Sequence, residues 1–290
     1  MRAKGLFAVI LVLFIAKWQA SAQSEAVIIR GTASMLHLCQ ELTNLYQTEL
    51  PQAKFGVNVS DSIATLPEGG GSIWQTVRPL DKAQREQLGR RFGSAAQEIP
   101  IAIEGAVVIV NRNNPITDLS VAQLRGIYLG KLTNWKMVGG KDAPIVLYST
   151  EATVGGSLYF TDLVLHGEDI DTTMRGFVSP KETVRAVELD PNGIGLIPLP
   201  GDKDVKYPRI RRSADSPGID ASIENIRTLR YPLSSQVYWV VAGQHPEIVT
   251  NFLRFSLSPK GQLAAEATGY YPLNPVERIE AASLARSAGR

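Results

Sequence analysis

Apolar residues recur every three or four positions over residues 35–46, directly after a short apolar run. The positions that share this spacing are Met35, Leu38, Cys39, Leu42, Leu45 and Tyr46. Such spacing places side chains on one face of an α-helix. The preceding run, AVIIR at 26–30, is typical of a buried strand, and the small residues GTAS at 31–34 connect the two. The pattern therefore predicts a strand, a tight loop and an amphipathic helix.

Three further helices are indicated by their first residues. Each begins with Ser or Asp and has Gln or Glu three positions later; the pairs are Asp81 with Gln84, Ser120 with Gln123, and Ser179 with Glu182. These pairs have the form of a capping box, in which two side chains satisfy free backbone amides at the helix start. Apolar spacing predicts two more helices, over residues 156–165 and 246–257.

Continuous apolar runs predict the remaining strands. They cover residues 106–111, 144–148, 194–198 and 237–242. Runs without polar alternation are typical of strands buried on both faces, as in parallel sheets. Strands that alternate with helices indicate an α/β fold, and we expect its sheets to be mainly parallel. Residues 201–231 are polar and charged, and they are predicted to cross between two lobes.

The first 22 residues have the pattern of an export signal. Arg2 and Lys4 precede an apolar run over residues 5–16, and Ala20-Ser21-Ala22 supplies the small residues at which signal peptidase cuts. A membrane anchor is the alternative, but twelve helical residues span about 18 Å, against a hydrocarbon core of about 30 Å. We therefore expect cleavage after Ala22 and a periplasmic protein without a transmembrane anchor.

The net charge and the single cysteine limit the classes of function that we expect. Removing residues 1–22 takes away three basic residues and no acidic ones, so the formal net charge falls from +2 to −1. A nucleic-acid partner is not expected, because such proteins usually carry a basic face. The local basic cluster at residues 209–212 is expected to be a solvated loop. Cys39 is the single cysteine, and its place on the apolar helix face predicts a buried thiol.

Three segments of small residues are candidate anion sites. They are residues 31–35, 69–72 and 149–157, each interpreted as a loop between a strand and a helix. Helix N-termini attract anions because their first amides are free and the helix dipole is positive there. Conventional catalytic patterns are absent from the sequence: His37, His166 and His245 are scattered, and Ser157 lacks a nucleophile-elbow setting. We expect no metal, no other cofactor and no enzymatic activity. A hydrolase is only the third hypothesis for the function.

Several motifs resemble one family. The stretch 114–148 reads NPITDLSVAQLRGIYLGKLTNWKMVGGKDAPIVLY, and it is followed by VELDPNGIGLIP at 187–198, YPLSSQVYWVV at 231–241, SPKGQ at 258–262 and GYYPL at 269–273. Together they resemble the phosphate-binding protein family of bacterial ABC transporters, which has the type II periplasmic binding fold. The resemblance implies two α/β lobes joined by two crossing strands: residues 23–104 with 215–290, and residues 105–214.

The resemblance also implies a function. Members of that family close two lobes over phosphate or another small oxyanion and deliver it to an ABC permease in the inner membrane. The expected ligand contacts are Ser34, the Met35 amide, Arg78, Thr150, Thr153, Gly155, Gly156 and Ser157.

This sequence departs from the family pattern at four ligand positions. They are Val77, Thr150, Val154 and Gly156, where the family has an acidic or hydroxyl residue, an Arg, a Ser and a Thr. Losing these partners is expected to remove on the order of 5 kcal/mol of phosphate binding. The alternative hypothesis is therefore a member that has lost tight phosphate binding and acts as a sensory or protein-interaction module in the cell envelope.

Overall fold

The computed structural model describes residues 26–60, 71–150, 160–198 and 200–287. In these ranges the strands are β1 Val27–Gly31, β2 Phe55–Val59, β3 Ser72–Thr76, β4 Gln97–Gly105, β5 Val107–Asn111, β6 Asp118–Ser120, β7 Val146–Thr150, β8 Arg175–Phe177, β9 Gly193–Ile197, β10 Val205–Lys206, β11 Arg209–Arg211 and β12 Ser234–Val241. The helices are α1 Leu36–Glu49, α2 Lys82–Phe92, α3 Val121–Tyr128, α4 Pro180–Leu189, α5 Ile223–Arg227, α6 Glu247–Ser256, α7 Pro259–Ala267 and α8 Pro275–Ser287.

Two five-stranded sheets flanked by helices form the two lobes, which confirms the predicted α/β architecture. Sheet 1 has the order β2-β1-β3-β12-β4, and sheet 2 has the order β10-β5-β9-β7-β8. The sheets are mixed, so the expectation of mainly parallel sheets is wrong. In each sheet two neighbouring pairs are parallel and two are antiparallel. The antiparallel pairs arise because β12 returns to sheet 1 from far along the chain, and β5 enters sheet 2 directly from β4.

The chain passes between the sheets at Ala106, where β4 ends and β5 begins. The Ala106 amide donates to the carbonyl of Leu233, just before β12. Strands of sheet 1 come from residues 27–105 and 234–241, and those of sheet 2 from residues 107–206. The boundaries placed at residues 104 and 214 stay a prediction.

Strand register shows that the carboxyl edges of the two sheets face the same crossing. Thr76, at the end of β3, pairs with Tyr238 of β12. Ser234, at the start of β12, pairs with Gly105 at the end of β4. In sheet 2 the end of β9, at Ile197, pairs with Val107 at the start of β5. The loops that follow the parallel strands of both lobes therefore converge on Ala106, and this is the edge at which open α/β sheets bind ligands.

The three predicted capping boxes are all present. In each, the N-cap side chain accepts from the amide three residues later, and the reciprocal bond is made; the N-caps are Asp81, Ser120 and Ser179. The helix predicted over residues 246–257 is α6. Of the helix predicted over residues 156–165, residues 156–159 lie outside the described residues, and Thr161–Leu165 forms a π-helical turn.

Two local predictions are wrong. The segment 69–72 was expected to precede a helix, but Ser72 begins strand β3, which pairs in parallel with β1. Its Ile73 and Trp74 favour a strand because branched and aromatic side chains pack well on a sheet. The basic segment at 209–212 is also not a loop. Its first three residues form β11, which pairs with β6, and Arg211 Nε lies 2.8 Å from Asp118 Oδ1.

The core beneath sheet 1 contains the predicted face of α1. Met35, Leu38 and Cys39 are fully buried against it, and burial raises the pKa of the Cys39 thiol far above its usual range.

Among the described residues, no helix combines the length and apolar character needed to cross a membrane.

Candidate functional site

The loop between β1 and α1 lies at the carboxyl edge of sheet 1. Gly31 ends β1, and a 3₁₀ turn over Ala33–Met35 leads into α1. The turn is closed by two hydrogen bonds, from the Met35 amide to Thr32 O at 3.2 Å and from the Leu36 amide to Ala33 O. We call residues 32–36 the anion loop.

The backbone amides of the anion loop differ in their hydrogen bonding. In the described part of the chain, the N–H groups of Ala33 and Ser34 have no acceptor. Ser34 is only 2% exposed. Amides without a partner at a helix start are suited to binding an anion or water.

This geometry changes one predicted contact. The Met35 amide was expected to face the ligand, but it is used within the turn, and the Met35 side chain is fully buried. The free donors lie one and two residues earlier. Sequence position alone does not reveal this, because it does not show where the 3₁₀ turn begins.

Ser34, a predicted ligand contact, lies in the middle of this turn. Its hydroxyl donates only a long bond, 3.4 Å, to Thr32 Oγ1, so a ligand can compete for it. Its carbonyl accepts from the Tyr270 hydroxyl at 2.8 Å. Burial and the nearby Glu104 carboxylate raise the pKa of Tyr270 well above its ordinary value, and Cys39 adds to this; the hydroxyl therefore stays a donor.

The end of β3 borders the anion loop. The Thr32 amide donates to the carbonyl of Gln75 at 3.4 Å, and Gln75 Nε2 donates to Thr32 O at 3.1 Å. Beyond it, Val77 is buried, and Arg78 is exposed with no side-chain partner among the described residues. Arg78 is therefore available to an anion at this edge.

The second lobe contributes the end of β7. Thr150 is buried, and its Oγ1 lies 3.3 Å from Oγ1 of Thr183 on α4. Its hydroxyl thus has a partner inside the lobe. The other predicted contacts of this lobe, Thr153, Gly155, Gly156 and Ser157, lie outside the described residues and stay predictions.

The neighbouring side chains of the second lobe form a polar cluster. The Tyr148 hydroxyl donates to Asp190 Oδ2 at 2.9 Å, and the guanidinium of Arg175 lies 5.9 Å from the centre of the Tyr148 ring. Burial, followed by the Asp190 carboxylate, raises the pKa of Tyr148. The described residues contain no group of three or more His, Cys, Asp or Glu side chains that could hold a metal ion.

The described residues therefore offer hydrogen-bond donors at the start of a helix, where a small anion can bind. A family model described as a PBP superfamily domain matches residues 18–260. The chain belongs to the PBP superfamily.

Two similar proteins are described as phosphate-binding proteins, the family that the motifs resemble. The phosphate-binding protein PstS of Bacillus subtilis is 25% identical over 260 residues, which cover 88% of this chain and 83% of that protein. A possible phosphate binding protein from Planctomyces limnophilus has the same fold, with a TM-score of 0.81 and 19% identity over 92% of this chain and 99% of that chain. These relatives confirm the resemblance to phosphate-binding proteins.

One of the similar solved structures has a bound ligand. It is a putative phosphate ABC transporter substrate-binding protein from Clostridium perfringens, with bound phosphate. It is 26% identical to this chain, has a TM-score of 0.57, and covers 86% of this chain and 100% of its own.

Proposed function

We propose that this chain is a periplasmic solute-binding protein that captures phosphate between its lobes by hinge closure. It supplies the anion to an ABC permease and carries out no covalent chemistry. The export signal over residues 1–22, with cleavage after Ala22, is part of this proposal; residues 1–25 lie outside the described part of the chain.

The observation that carries the proposal is the pair of free amides in the anion loop. Ala33 and Ser34 present N–H groups that have no acceptor among the described residues. They lie in the 3₁₀ turn that leads into the 14-residue helix α1, at the edge of sheet 1 that faces sheet 2. The helix dipole favours negative charge there, and backbone amides bind oxyanions without basic side chains. Arg78 and the Ser34 hydroxyl add a charged and a neutral donor.

Contacts from the second lobe complete the proposed site. Thr153, Gly155, Gly156 and Ser157, which follow β7 in the sequence and lie outside the described residues, are the further proposed contacts. Thr150 is the weakest of the proposed contacts, because its hydroxyl already pairs with Thr183. We therefore expect weaker phosphate binding than in family members that carry an Arg at this position.

Thermal unfolding with a panel of anions tests the proposed function. For residues 23–290, phosphate at about 100 times its dissociation constant should add roughly 2.7 kcal/mol to the free energy of unfolding. The midpoint should then rise by several degrees with phosphate and less with sulfate, molybdate or small carboxylates. No shift with any anion would contradict the proposal.

A second candidate function is a cell-envelope sensory or interaction module that has lost tight ligand capture. Two observations favour it: Val77 presents a buried apolar side chain at the expected acceptor position, and the Thr150 hydroxyl pairs within its own lobe. The same anion panel separates the two functions, since the module predicts no phosphate-dependent rise in the midpoint.

A further inference from the structure

Two buried side chains donate hydrogen bonds to carbonyls of the anion loop. Gln75, which is fully buried on β3, donates from Nε2 to Thr32 O at 3.1 Å. Tyr270, which is 3% exposed, donates from its hydroxyl to Ser34 O at 2.8 Å. They come from positions 43 and 236 residues away from their acceptors. Tyr270 lies in the GYYPL motif, but the sequence pattern assigned neither side chain to the site.

Peptide geometry links these carbonyls to the neighbouring amides. In a trans peptide the C=O and the following N–H point in opposite directions. The bond from Gln75 draws the Thr32 carbonyl toward the buried side of the loop, so the Ala33 amide points the other way. A carbonyl turned toward the cleft would repel an anion, whereas an amide attracts it.

Tyr270 holds the next part of the turn. Its bond to Ser34 O fixes the peptide between Ser34 and Met35, and the Met35 amide in turn donates to Thr32 O. Thr32 O thus accepts from both Gln75 and Met35, while Ser34 O accepts from Tyr270. The Gln75 bond therefore orients the Ala33 amide directly, whereas the Tyr270 bond orients the Met35 amide and so closes the turn that contains the Ser34 amide.

Tyr270 is itself held firmly at the crossing between the lobes. The next residue, Tyr271, makes two backbone hydrogen bonds with Ile103 of β4, at 2.9 and 2.8 Å. The Leu273 amide donates to Gln262 Oε1 at 2.8 Å. The C-terminal segment therefore ties the anion loop to the strand that continues into the second lobe.

We infer that Gln75 and Tyr270 are positioning residues, which hold the anion loop with its free amides toward the ligand. This inference rests on the proposed phosphate binding. It adds two residues, neither of them a direct ligand contact: Gln75 sets the direction of the Ala33 amide, and Tyr270 holds the turn closed.

The test is Tyr270→Phe with Tyr271→Phe as the matched control. Both tyrosines are buried neighbours, but the Tyr271 hydroxyl has no hydrogen-bond partner among the described residues. By calorimetric titration with inorganic phosphate, Tyr270→Phe should weaken binding about five- to tenfold, the usual effect of one neutral hydrogen bond. Tyr271→Phe should leave affinity unchanged.

A second variant, Gln75→Met, removes the other donor while keeping an unbranched side chain of similar length. It should also weaken phosphate binding. Amide NMR shifts of Ala33 and Ser34 on adding phosphate supply a readout that loss of stability alone would not alter. We expect these shifts to shrink in Tyr270→Phe and Gln75→Met and to stay full-sized in Tyr271→Phe.

The outcomes are distinguishable. Failure of the wild-type chain to bind phosphate would overturn the proposed function, and the inference with it. Binding by the wild type together with unchanged affinity and amide shifts in Tyr270→Phe and Gln75→Met would overturn the inference alone. Equal losses in Tyr270→Phe and Tyr271→Phe would also overturn it, because they would indicate a general packing effect.

Discussion

The double substitution Ser34→Ala plus Arg78→Ala is expected to abolish phosphate binding at ordinary ligand concentrations. The Ser34 hydroxyl makes only a 3.4 Å bond within its loop, and the Arg78 guanidinium has no partner in the described ranges. Hydrogen bonds to a charged group contribute about 1.5–3 kcal/mol each, so losing both should weaken binding at least about a hundredfold.

Calorimetric titration with phosphate measures this effect. Arg254→Ala is the control, since Arg254 is an exposed arginine of α6 and is not a proposed contact. It removes the same net charge, and it should change the affinity little, because exposed charges separated from a ligand are screened by salt. If the double variant kept wild-type affinity, Ser34 and Arg78 would have no place in the site.

Gly31→Ala is expected to destabilise the folded protein strongly, and more than its control Gly93→Ala. Gly31 has φ +150°, and an added Cβ would lie 1.9 Å from the Gln75 carbonyl oxygen and 2.5 Å from Gln75 Cγ. The carbonyl belongs to the neighbouring strand β3 and cannot move without breaking the pairing of β1 with β3. We expect a loss of about 3 kcal/mol or more in the free energy of unfolding.

Urea unfolding of Gly31→Ala checks this, and Gly93→Ala is the matched control. Gly93 also has a positive φ, +72°, but a Cβ there would meet nothing within 4 Å. Gly93→Ala should lower the free energy of unfolding only by the cost of a left-handed backbone at a residue with a side chain, about 1–2 kcal/mol. Equal losses at the two positions would show that crowding against Gln75 is not the cause.

Local signals in the sequence predicted local structure well. The capping boxes at Asp81, Ser120 and Ser179 each need only four consecutive residues, and all three form. The apolar face of α1 was likewise predicted from its own spacing. Such features depend on contacts within one turn or one helix, so a single sequence contains them.

Sheet direction could not be predicted in the same way. Strand β12 pairs with β3 and β4, from which it is separated by more than a hundred residues along the chain. An apolar run looks the same in a parallel or an antiparallel pair, and this is why the mixed sheets were missed. Ser72 was misplaced for a related reason, since a glycine-rich loop precedes strands as well as helices.

The ligand contacts of the candidate site stay predictions. Ser34 and Arg78 lie at the expected edge of sheet 1, whereas the free donors are Ala33 and Ser34 instead of Met35. Gln75 and Tyr270 were missed because their bonds to the loop join distant parts of the chain. Their role depends on which way a carbonyl points, and residue types do not show that.

Small-angle X-ray scattering of residues 23–290, with and without saturating phosphate, tests the proposed capture of phosphate most directly. Closure of two lobes over the anion predicts a smaller radius of gyration with phosphate and no change in the Ser34→Ala plus Arg78→Ala variant. An unchanged radius in wild-type protein that calorimetry shows to be saturated would contradict capture by hinge closure.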